Sequence, residues 1–139
     1  MIICLILSIT FLLLGLLHMS WALGNTFGFS EALPTNENGD RVINPRRIDS
    51  LVVGIGLISF ALFYMIKGGF INYLLPNWLL AFAGWLIPII FLLRAIGDFK
   101  YVGFFKKVNS PDFGKRDTKY FSPLCLVLAI IGIIIELST

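Results

Sequence analysis

Apolar residues in this chain fall into four long runs separated by polar stretches, and each run approaches the thickness of a bilayer. The first run extends from about Met1 to Leu23 and carries no formal charge. A helix needs roughly 20 apolar residues to cross the hydrocarbon core, so this run is long enough. It exceeds the usual apolar core of a secretory signal and has no preceding Lys or Arg, so a retained anchor is expected. The second run, about Pro45 to Lys67, opens on Asn44-Pro45, an N-cap followed by a first-turn proline. Its charges, Arg46, Arg47, Asp49 and Lys67, sit at the ends, where they can reach water. The third covers about Pro76 to Leu93, with Trp78 near an interface and Pro88 predicting a kink. The fourth is short if it starts at Pro123, roughly 22 Å at about 1.5 Å per residue. A helix starting between Asp117 and Ser122 and reaching the far surface at Glu136 restores a full span. The pattern predicts an all-α fold. It is a single integral membrane domain over 1–139, a four-transmembrane-helix bundle with helices at about 1–23, 45–67, 76–93 and 120–137.

The polar stretches set the orientation. The stretch 24–44 contains Pro34 and a turn sequence at Asn36–Asp40, and the stretch 94–119 is the longest. These two, with the start of the second helix, hold ten of the eleven Lys and Arg residues, and Lys67 is the remaining one. Positive charge concentrates on the cytoplasmic side of membrane proteins. Loops 24–44 and 94–119 are therefore expected in the cytoplasm and both termini outside, in a multi-pass protein of the plasma membrane. Within the second loop, Phe99–Lys107 mixes bulky apolar and cationic residues, which suits an amphipathic segment lying in the interface between helices 3 and 4. The net charge of +3 could suggest a nucleic-acid partner. With 58% hydrophobic and 14% charged residues, basic loops facing anionic lipid account for it, and no nucleic-acid motif accompanies it.

The candidate chemistry gathers at the expected cytoplasmic end. His18, the one histidine, lies just inside the hydrocarbon boundary, with Trp21 at helical spacing. An ionisable group at that depth is a functional candidate; the bland alternative is a neutral ring with one hydrogen bond to another helix. Arg94 and Asp98 stand four residues apart and can pair on one helical face. A guanidinium fork there could instead bind phosphate or carboxylate, with Asp98 orienting it. Lys100 and Lys106 add positive charge beside it. Asp117, Thr118 and Ser122 can cap the fourth helix. His18, Trp21, Arg94, Asp98, Lys100, Lys106, Asp117 and Ser122 are thus the expected ligand-binding residues. One histidine and two distant cysteines, Cys4 and Cys125, do not supply a metal ligand set, and no phosphate loop occurs. No metal or other cofactor is expected.

Several of these residues also carry a likeness. His18-x-x-Trp21-Ala22-x-Gly24, Arg94-x-x-Gly97-Asp98, Gly103-Phe104-Phe105-Lys106, Phe113-x-x-x-Asp117-Thr118 and Tyr120-x-Ser122-Pro123-Leu124-Cys125 resemble a family of small bacterial four-helix integral membrane proteins classed as a domain of unknown function. The resemblance implies a fold and a membrane location for nearly the whole chain, and no activity. Three functions therefore compete. One is binding of a lipid headgroup or small anion. The second is an accessory or structural subunit of a membrane complex, and the third is a small transporter or enzyme using His18 as acid or base. The expected partners are membrane lipids, then a second copy of the chain or a membrane partner protein.

Overall fold

A computed structural model describes residues 1–25, 29, 33–34, 36–38, 40–41, 46–97, 103–107 and 113–139. Helix is the repeating structure: α1 Ile2–Ala22, α2 Arg47–Lys67, α3 Asn77–Ile96, α4 Phe113–Arg116 and α5 Ser122–Leu137. A π-helical turn, Asp117–Phe121, joins α4 to α5 without a break. Four helical stretches are long and apolar enough to cross a membrane: α1, α2, α3 and the continuous run Asp117–Leu137. The fold is all-α, and a multi-pass membrane protein follows from it.

The helix ends follow local chemistry. The Asn44-Pro45 start lies outside the described residues. At α2, the Arg46 N–H donates to Asp49 Oδ2 at 2.7 Å, which satisfies one orphan donor of the first turn. Helix α3 runs to Ile96, past the expected Leu93, and so takes Arg94 into its last turn. Gly97, at φ +86°, ends it in the left-handed conformation that glycine adopts freely. Its N–H donates to the Leu93 carbonyl at 2.8 Å. The Asn36 turn is present: Asn36 Oδ1 accepts from the N–H groups of Asn38 and Asp40, both at 2.9 Å.

The chain forms two compact units. The first comprises Met1–Asn25, Pro45–Ile87 and Ile131–Thr139. Its centre is the packing of α1 on α2. A Cβ on Gly15 would stand 2.8 Å from Ile58 Cγ1 and 3.2 Å from the Gly54 carbonyl, so the two backbones meet where side chains are absent. Gly54 is used here for helix packing within the chain. Ser8 Oγ donates to the Ala61 carbonyl at 2.8 Å across the same seam. Phe11 packs edge-on to Phe60 and stacks on Tyr64, with ring centroids 5.9 and 5.8 Å apart. The second unit comprises Thr26–Asn44 and Pro88–Ile130. Its buried residues include Leu33, Ala95, Leu128 and Ala129, together with two polar ones, Asp117 and Ser122.

Candidate functional site

The second unit buries a carboxylate and surrounds it with donors. Asp117 is fully buried at the first position of the π turn. Leaving such a charge unpaired in low dielectric costs several kcal/mol, so its partners decide whether the fold is viable. Arg94, from the last turn of α3, donates Nη2–H to Asp117 Oδ1 at 2.9 Å. The backbone N–H of Gly103 donates to Oδ2 at 2.7 Å. Lys106 Nζ reaches the same Oδ2 at 3.3 Å and also donates to the Gly103 carbonyl at 3.1 Å and to Thr118 Oγ1. Both carboxylate oxygens are thus satisfied by charge-assisted bonds, the strong class of hydrogen bond.

Local backbone choices make this arrangement possible. Gly103 sits at φ +89°, and a Cβ there would overlap the Ile96 carbonyl and the Gly97 Cα. Only glycine lets this loop residue lie against the end of α3 with its N–H aimed at Asp117. The Phe104 N–H then donates to the Ala95 carbonyl at 2.8 Å, fixing the loop to α3. The next two residues diverge. Phe105 is exposed, whereas the Lys106 side chain turns inward with 2% of its surface accessible.

Among the described residues the cluster holds two cations and one anion, a formal surplus of one positive charge. Two further groups in this unit are buried without a hydrogen-bond partner: Arg94 Nη1, and Ser122 Oγ on a residue with no exposed surface. Buried donors of this kind are uncommon, because each forfeits its hydration without replacement. The Ser122 N–H bonds to the Asp117 carbonyl across the wide π turn, which ties the two polar residues into one element.

The expected site residues thus separate. Arg94, Lys106 and Asp117 are joined by direct bonds, and Ser122 belongs to the same helical run. Asp117 and Ser122 are not helix caps, because the helical run already begins at Phe113. Asp98 and Lys100 lie outside the described residues; among the described residues Arg94 meets Asp117. His18 and Trp21 belong to the first unit. His18 Nδ1 donates to the Leu14 carbonyl of its own helix at 2.8 Å, and its ring lies 4.6 Å from that of Trp21. Sequence reasoning gave Gly103 no role beyond its place in the Gly103-Phe104-Phe105-Lys106 motif, because its backbone N–H acts where no side chain advertises it. The available signal was a glycine inside the mixed apolar and cationic segment Phe99–Lys107.

Residues 11–132 match the family described as "Protein of unknown function (DUF3995)". The chain belongs to this family. The matched span includes all four of Arg94, Lys106, Asp117 and Ser122, as well as His18 and Trp21. Neither the curated proteins nor the solved structures contain a match to the chain. The family description names no activity.

Proposed function

We propose that the Arg94–Lys106–Asp117 cluster binds a small anion bearing phosphate or carboxylate, supplied either by a lipid headgroup or by a soluble ion. The observation that carries this reading is the half-used guanidinium. Asp117 holds Arg94 through Nη2, and Nη1 is buried with no partner. Asp117 thereby orients the fork, and its own charge is already outweighed by Arg94 and Lys106. An anion entering there would complete the arginine's hydrogen bonds, and Ser122 Oγ is a second donor without a partner in the same unit.

The orientation proposed with this reading places loops 24–44 and 94–119 in the cytoplasm of a plasma-membrane protein with both termini outside. The ten-to-one asymmetry of Lys and Arg supports it. Exposed Phe104, Phe105 and Lys107 suit a loop resting on the headgroup layer, with membrane lipids as the first partners. A second copy of the chain or a membrane protein is the further partner.

Native mass spectrometry from a gentle detergent tests the reading. A discrete bound mass on the wild type, lost in Arg94→Gln while the helical circular dichroism stays unchanged, is the expected result. Its fragmentation separates a lipid from an inorganic ion. A bare wild-type chain, or a ligand retained equally by Arg94→Gln and Ser122→Ala, would overturn it.

A further inference from the structure

The first unit contains a second buried charge, unrelated to the anion site. Glu136, near the end of α5, has 5% of its side chain exposed, and Lys67, the last residue of α2, has 10%. Lys67 Nζ lies 2.7 Å from Glu136 Oε1. The approach is off the hydrogen-bonding direction, so Oε1 has a charge partner and no aligned donor. Burying such a pair costs several kcal/mol per ion, which excellent geometry with further hydrogen bonds would offset. Here Oε1 makes no such bond. The nearby Tyr64 hydroxyl, close enough to feel the Glu136 charge, is fully buried and has no partner. Its ring is held between Phe11 and Phe63, with centroids 5.8 and 5.2 Å away, so its position is fixed by packing.

The third wall is α3. A Cβ on Gly84 would overlap all three atoms of the Glu136 carboxylate group, so the acid lies directly against the helix backbone. Gly84 is also the residue four before Pro88. Proline has no N–H, so the Gly84 carbonyl lacks its α-helical donor. An ionised carboxylate adds only acceptors beside an acceptor that is already short of a donor. A protonated carboxyl group supplies the missing O–H. The carboxylate itself fills the notch at Gly84, and a proton is the one occupant that needs no further space. Among the described residues, the titratable groups around Glu136 are Lys67 and Tyr64 from α2, with Cys4 of α1 bordering Tyr64; α3 contributes only Gly84.

We propose that Glu136 is a proton-binding carboxylate inside the membrane domain, able to exchange its pairing with Lys67 for a proton. In the ion-paired state Tyr64 is idle. On proton uptake, the carboxyl O–H donates toward the Gly84 carbonyl and Tyr64 donates to the carboxyl oxygen. Lys67, at the end of its helix, extends its ammonium toward water. Buried carboxylates in membrane spans are recurrent stations for protons, and this one has acceptor, donor and counter-ion arranged around it.

A hydrophobic carbodiimide reads the protonated form directly. The acid O–H adds across one C=N bond, nothing is released, and the adduct is located by peptide mass spectrometry. The full chain in lipid nanodiscs is expected to label at Glu136, with yield rising as the buffer is acidified, and Glu136→Gln removes the adduct. Lys67→Gln raises the labelling rate at neutral pH by on the order of tenfold, because the ionised form loses its cation. Tyr64→Phe lowers the rate, since the hydroxyl is bonded only after protonation. That variant keeps the ring and its packing, so the test survives if Glu136→Gln fails to fold. A folded wild type that never labels at Glu136, or a rate unmoved by both Lys67→Gln and Tyr64→Phe, would reduce the cluster to a structural ion pair.

Discussion

At Asp117 three donors from separate parts of the second unit meet one carboxylate, and the balance of charge there is testable. Asp117→Ala strands Lys106, whose side chain is almost wholly enclosed, and is expected to cost about 3–5 kcal/mol in thermal or denaturant unfolding. Replacing both partners, Asp117→Leu with Lys106→Met, removes the stranded charge together with its counter-ion. Most of that loss should return, because Arg94 is one-third exposed and can turn to water. At Gly103 the constraint is steric. Gly103→Ala places a Cβ into the end of α3 from a left-handed backbone, for an expected loss of about 2–4 kcal/mol measured the same way. The corresponding change at Gly56, where a Cβ would meet nothing within 4 Å, is the control that should leave stability nearly unchanged.

At the scale of elements, the seam between α1 and α2 depends on two glycines rather than on large apolar side chains. Gly15→Val should force the helices apart and cost about 1–3 kcal/mol, read by thermal unfolding in detergent. Ser8→Ala removes one hydrogen bond across the seam and should cost only about 0.6 kcal/mol, as such bonds average in membranes. The helices themselves were legible in the sequence, because a bilayer demands long uninterrupted apolar runs and the chain has four. Their partners were not. Arg94 has Asp98 four residues away, and helical spacing makes that pair the natural reading. Among the described residues the acid it meets is Asp117, 23 residues away and brought close by a loop glycine that no periodicity marks. Glu136 shows the same limit. Position near a helix end suggested a surface acid, whereas a glycine on α3 leaves a place for it within the packing.

For the whole molecule, the charge asymmetry makes a prediction that needs no ligand. In a background with Cys4 and Cys125 replaced by Ala, single cysteines introduced at Arg41 and Lys107 should be modified by a membrane-impermeant maleimide only after the membrane is opened. One introduced at Tyr73 should react in intact cells. Reaction at positions 41 and 107 but not 73 would invert the proposed orientation, and reaction of all three from outside would abolish it. Among the described residues, each unit buries one carboxylate beside a lysine, Asp117 in one and Glu136 in the other.

The π turn at Asp117–Phe121 has a consequence for how this helix can vary. A π turn holds one residue more than the α-helical hydrogen-bonding pattern accommodates, so it is what a regular helix becomes when it absorbs a single insertion without losing its partners. Deleting one residue between Thr118 and Phe121 would restore an ordinary helix of nearly the same apolar length. Asp117 would keep nearly its orientation relative to everything that follows it, because about five residues of π turn advance around the axis as far as about four of α-helix. The membrane would accept that shortened chain as readily as this one, and so would Arg94 and Lys106. The same deletion made after Ser122, where no wide turn absorbs it, would rotate Asp117 by about 100° relative to the remainder of the helix. Chain length is therefore free with respect to charge inside this turn and fixed beyond it.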